Sequence, residues 1–237
     1  MLLLFWNKSK IIFSLKDRLS FDVKLIKRII RVGIPSFMEN LILQGGFLVM
    51  QILIVSIGTL ETAAYQIGCN VHSLAFMPIF GLAITTTTTV GQNLGKKKYE
   101  TAEIYAHENR RFAILVGIFA GLIEFLLAEP LARMYSQDPE IVKTTMIVVR
   151  GFAFIEAFMG IEKVSAATIR SAGDTKYVLI TSVIALWTFR IATAYGLDRF
   201  LHLGLYGIMI GIFLDFSVRA LMYSYRMNAG NWKYLKV

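Results

Sequence analysis

About six apolar runs, each near the length of a bilayer crossing, divide this chain, and between them basic residues are crowded and scarce in turn. A spanning helix needs roughly 20 mostly apolar residues. The runs cover residues 33–57, 63–90, 112–128, 141–169, 177–197 and 205–225. Eight Lys and Arg residues, from Lys8 to Arg31, precede the first run, and none lies in 58–62. Lys96, Lys97, Lys98, Arg110 and Arg111 follow the second run, and only Arg133 follows the third. Arg170 and Lys176 then alternate with Arg199, and the tail ends with Arg226, Lys233 and Lys236. Cytoplasmic loops carry the excess of Lys and Arg in membrane proteins. The alternation therefore predicts an all-α membrane protein with six spans and both termini in the cytoplasm.

Composition agrees with a bilayer as solvent. Mean hydropathy is +0.59, and charged residues make up 17% of the chain, against roughly 25% in soluble domains. The net charge of +9 is spread between apolar runs rather than along one face, which argues against nucleic-acid binding. A lone cysteine, Cys69, excludes an internal disulfide and a cysteine-based metal cage. The three histidines show no ligand spacing, and no catalytic pattern is present, so neither an enzyme nor a cofactor is expected. Residues 1–6 are apolar but precede the first charges, unlike a secretory leader, and read as the tail of a preceding helix. Residues 14–31 form a basic amphipathic stretch suited to the cytoplasmic leaflet. The organisation expected is therefore 1–32, a helix stub with a basic segment, and 33–237, a six-helix bundle.

Several motifs recur in a definite order. They are Gly33-Ile34-Pro35-Ser36, Ala63-Ala64-Tyr65-Gln66, Val90-Gly91-Gln92-Asn93-Leu94-Gly95, Thr168 to Lys176, and Leu214-Asp215-Phe216-Ser217-Val218-Arg219 ahead of Gly230-Asn231-Trp232-Lys233. Together they resemble the multidrug and toxic compound extrusion (MATE) family across nearly the whole chain. The resemblance implies one six-helix lobe of a twelve-span transporter, with the second lobe supplied in trans or missing. It also implies antiport of a small cationic or amphipathic molecule against H+ or Na+ across the cell membrane. Two alternatives stand beside it: a lipid-linked saccharide flippase of the same superfamily, and a non-transporting membrane remnant.

Charges within spans are costly and are functional candidates by default. Glu39 and Glu156 are the candidates for cation binding or coupling. For Glu39 the competing reading is an interfacial ion pair with Arg31. In the NorM branch of the family the coupling carboxylates fall at Leu43 and Met159 of this chain, neither of them acidic. Gln66 and Asn70, one turn apart, place two amides on one helix face. With Met159 and Arg150 they are the candidates for lining a substrate cavity. Pro78 predicts a kink in the second span. The run from Thr85 to Thr89 predicts close packing with hydroxyls bonded to the preceding turn. Asp215 and Arg219, spaced i,i+4, predict an ion pair on the last helix, and Arg190 reads as structural.

Overall fold

The computed structural model describes residues 23–234, so residues 1–22, with the expected helix stub and much of the amphipathic stretch, lie outside the described part. The helices are α1 (Val23–Ile57), α2 (Thr59–Gly95), α3 (Tyr99–Leu126), α4 (Ala128–Arg133), α5 (Pro139–Ser171), α6 (Thr175–Ile184), α7 (Ala192–Leu201) and α8 (Leu205–Asn228). A π-helical segment, Ala185–Ile191, joins α6 to α7, and a 3-10 turn, Asn231–Tyr234, follows α8. No strand occurs among the described residues. The helix of the first span begins at Val23, so it crosses the expected boundary at residue 33 without a break.

Among the described residues, five helical stretches are long and apolar enough to cross a membrane: Gly33–Ile57, Thr59–Gly95, Pro139–Ser171, Thr175–Leu201 and Leu205–Asn228. The expected count of six is therefore corrected to five by this measure. The expected third span ran to residue 128, but α3 stops at Leu126, and its apolar part is preceded by Arg110 and Arg111 and interrupted by Glu124. It still packs into the bundle.

The central helix is α5, which packs against α2, α3 and α8. Small residues allow this. A Cβ on Gly117 would meet the Glu156 carbonyl oxygen, one on Gly121 the Ala153 carbonyl oxygen, and one on Gly160 the Ala113 carbonyl oxygen. Glycines four apart on α3 thus let two helix backbones approach, the usual packing device where lipid supplies no hydrophobic drive between helices. The main apolar core lies between α1, α2, α5, the π segment and α8, around Ile54, Val148, Ile155, Leu186 and Ile212. The outer surface is apolar as well, with Phe37, Leu48, Phe119, Ile180 and Leu221 exposed. Such a surface suits lipid and would not suit water.

The helix ends explain several motifs. Asp138 caps α5 by accepting from the Glu140 amide at 2.9 Å, and Pro139 opens the helix. After α5 the chain turns at Gly173, whose φ of 86° needs no Cβ. The Gly173 amide donates to the Arg170 carbonyl and the Asp174 amide to that of Ile169, which closes the C-terminus of the helix. Asp174 then accepts two bonds from Arg226 at the end of α8. Pro78 lies inside α2, which continues through it. Each hydroxyl from Thr85 to Thr89 donates to the carbonyl four residues earlier, as the sequence predicts.

Candidate transport cavity and buried charge clusters

A cavity of about 350 Å³ opens between α1, α2, α5, the π segment and α8. Phe47, Tyr65, Phe76, Phe152 and Phe216 give it an aromatic wall, and Gln51, Gln66, His72, Lys163 and Arg190 supply polar groups. Arg190 enters from the π segment, where the widened turn re-aims a side chain. Its guanidinium lies over the rings of Phe47 and Phe216, 5.5 and 5.2 Å from their centroids. Gly211 permits that arrangement, because a Cβ there would press into the Arg190 carbonyl oxygen. Asp215 pairs with Arg190 at 2.7 Å and with Arg219 at 2.6 Å. Arg219 grips both carboxylate oxygens, a bidentate contact that a lysine could not make. The expected Asp215–Arg219 pair is thus present, and Arg190 joins it from the neighbouring span.

A second cluster lies between α2, α3 and α5. His72 Nδ1 is 2.9 Å from Glu156 Oε1 and 3.7 Å from Glu124 Oε1. Both carboxylates are buried. The imidazole stacks on Phe152, with centroids 4.1 Å apart and planes 10° from parallel. Linear spacing hides this grouping, because its members come from three helices. The available signal was the Gly117–Gly121 pair, which seats α3 on α5 and so carries Glu124, one turn further on, beside Glu156.

A third cluster ties α1 to the far end of α5. Arg170 donates to Glu39 at 2.6 Å, and the Ser182 hydroxyl donates to the same oxygen at 3.0 Å. Ser182 also meets the Tyr223 hydroxyl at 2.9 Å. The side chain of Arg31, the partner weighed in the sequence, lies outside the described residues. Nearby, Lys233 pairs with Glu103 at 2.6 Å, and Arg110 donates to Asn228 at 3.1 Å. Trp232 is buried, its indole N–H donating to the Met227 carbonyl at 2.8 Å. Partial burial and the adjacent Arg110 hold His107, outside the apolar core, below the ordinary imidazole range.

The MatE family model matches residues 35–196. The chain belongs to the MatE family. A probable multidrug resistance protein NorM of Thermotoga maritima is 30% identical over 207 residues, 87% of this chain and 45% of that protein. A multidrug resistance protein MdtK of Photorhabdus laumondii is 30% identical over 202 residues, 84% of this chain and 44% of its own length. The chain therefore spans about half the length of the curated relatives it matches. Among solved structures, an outward-facing multidrug resistance MATE family transporter of the MOP superfamily superposes with a TM-score of 0.86 at 21% identity. The match covers 97% of this chain and 53% of that one. A MOP superfamily transporter from Pyrococcus furiosus superposes with a TM-score of 0.87 at 21% identity, over 99% of this chain and 54% of that one. These two likenesses establish the fold.

Within this MatE chain, the residues singled out by sequence separate into distinct places. Gln66 and Met159 line the aromatic cavity. Asn70 is exposed and does not line it. Arg150 belongs to another cavity, of about 890 Å³ between α3, α5 and α8, where it lies over Phe125 at 5.4 Å. Glu156 lies behind His72, and Glu39 sits away from the cavity in the Arg170 cluster.

Proposed function

We propose that this chain forms one lobe of a secondary active efflux transporter in the cell membrane. Its cargo would be small amphipathic or cationic molecules, and H+ or Na+ would drive it. The observation that carries this reading is the 30% identity, along 87% of the chain, to a relative named a probable multidrug resistance protein. The cavity supports it, because a mostly apolar, aromatic wall with a few polar groups suits varied amphipathic ligands. In this reading Gln66 and Met159 contact the cargo. Glu39 takes the coupling role, with an incoming cation or proton competing against Arg170. A flippase of charged lipid-linked saccharides would call for a strongly cationic cavity, for which Arg150 and Arg190 would have to act together. They line separate cavities, and Asp215 already balances Arg190, so the efflux reading is preferred.

The test is dye accumulation in an efflux-deficient bacterial strain. The chain is expressed alone, or together with the N-terminal half of the Thermotoga maritima relative. Accumulation should stay unchanged with the chain alone and fall when the second lobe is supplied. No export with either arrangement, at verified membrane levels of both chains, overturns the transporter reading. Export by the chain alone overturns the need for a second, different lobe.

A further inference from the structure

We propose that His72, Glu124 and Glu156 form a binding site for a divalent transition-metal cation. The site stands apart from the coupling role given to Glu39 and does not depend on the transport reading.

The argument begins with charge. Among the described residues, five acidic side chains are buried: Glu39, Glu124, Glu156, Glu162 and Asp215. Three of them have a Lys or Arg partner, namely Arg170 for Glu39, Lys163 for Glu162, and Arg190 with Arg219 for Asp215. Glu124 and Glu156 have no such partner and share only the imidazole of His72. Among the described residues, neither carboxylate has a hydrogen-bond partner apart from its contact with His72. Two buried carboxylates side by side in a low-dielectric bundle are costly unless a cation joins them.

Geometry then selects the kind of cation. The three donor atoms lie within 4.8 Å of one another. Ligands bound at about 2.0–2.2 Å around a tetrahedral or octahedral ion are roughly 3.0–3.5 Å apart. The distances of 2.9 and 3.7 Å from His72 Nδ1 bracket that spacing. One imidazole nitrogen and two carboxylates are a donor set for zinc, manganese or cobalt, whereas magnesium, and other hard cations like it, prefer oxygen alone. Two negative charges and a neutral imidazole also match a divalent ion in full. Stacking on Phe152 fixes the ring with Nδ1 toward the carboxylates, and helix backbones in contact at Gly117 and Gly121 hold Glu124 and Glu156 in place. The site is thus preorganised on rigid elements. His72 also lines the aromatic cavity, and Glu124 borders a small groove between α2 and α3.

The experiment uses the full chain, purified in detergent, stripped with a chelator and titrated with Co2+ alone. Expected are saturable binding of one Co2+ per chain, ligand-field absorption, displacement by Zn2+, and a metal-dependent rise in the thermal midpoint. His72→Gln, Glu124→Gln and Glu156→Gln should each weaken Co2+ by about tenfold or more. His202→Gln, at an exposed turn, should leave the affinity unchanged. Three results overturn the site: no saturable Co2+ or Zn2+ binding by the unsubstituted chain, affinity retained in all three ligand variants, or full displacement of Co2+ by millimolar Na+. Proton uptake on acidification with no metal binding also overturns it and makes the cluster a protonation site. A variant that fails to elute as a monodisperse species is set aside. The titration of the unsubstituted chain and the remaining variants then decide.

Discussion

Asp215 has the most at stake of any single side chain, because two buried guanidinium groups depend on it. Asp215→Ala leaves both charges without a partner. Breaking a buried pair from one side costs about 3–5 kcal/mol, so thermal unfolding in detergent should show a large drop in midpoint. Arg219→Ala should cost less, since Arg190 still balances Asp215. Glu39→Gln keeps the shape and the Ser182 bond but removes the charge that faces Arg170. Within an assembled transporter, that substitution should lower uptake driven by an ion gradient while leaving cargo binding largely intact. Unchanged gradient-driven uptake in vesicles with matched protein levels would remove Glu39 from coupling. The i,i+4 pair of Asp215 and Arg219 was legible because both partners sit on one helix. The contacts of Glu39 with Arg170 and of His72 with Glu156 were not, because they join residues 131 and 84 positions apart, and only the folded bundle brings them together.

The apolar runs and the threonine ladder follow from periodicity and local hydrogen bonding, so the sequence was enough to predict most helices. Two features of the helices escaped it. The third run depended on where α3 stops, which is set by the turn at Leu127 into α4. The π segment depends on packing between Gly211 and the Arg190 backbone, a contact with no signature within the fifth run itself. Glycines give the cleanest test of the packing account. Gly121→Val should force α3 off α5 and cost about 1–3 kcal/mol, read as a lower midpoint in detergent. At Gly45 an added Cβ would meet nothing within 4 Å. Gly45→Ala should therefore be neutral or stabilise by about 0.5–1 kcal/mol through helix propensity. No loss at Gly121 would contradict the close α3–α5 approach, and a large loss at Gly45 would contradict the open space beside it.

At the scale of the whole bundle, the alternating basic loops predict cytoplasmic termini, which requires α3 to cross together with the five stretches that are apolar enough on their own. A reporter enzyme active only outside the membrane, fused after Val237, should stay silent, whereas the same reporter inserted at Gly58 should be active. A strong signal from the first fusion would sink this orientation. Three ion pairs between separate elements lie toward one end: Glu39–Arg170, Asp174–Arg226 and Glu103–Lys233. At the opposite end, the pair Glu129–Arg133 stays within α4 and ties no two spans together. The bundle is therefore uneven in stiffness. Beyond the His72–Glu124–Glu156 cluster, spreading the helices at that opposite end exchanges one apolar neighbour for another, and lipid opposes that little. Spreading them at the clamped end means parting charges. Under sideways load the bundle would behave like tongs held at the pivot, its free tips yielding first.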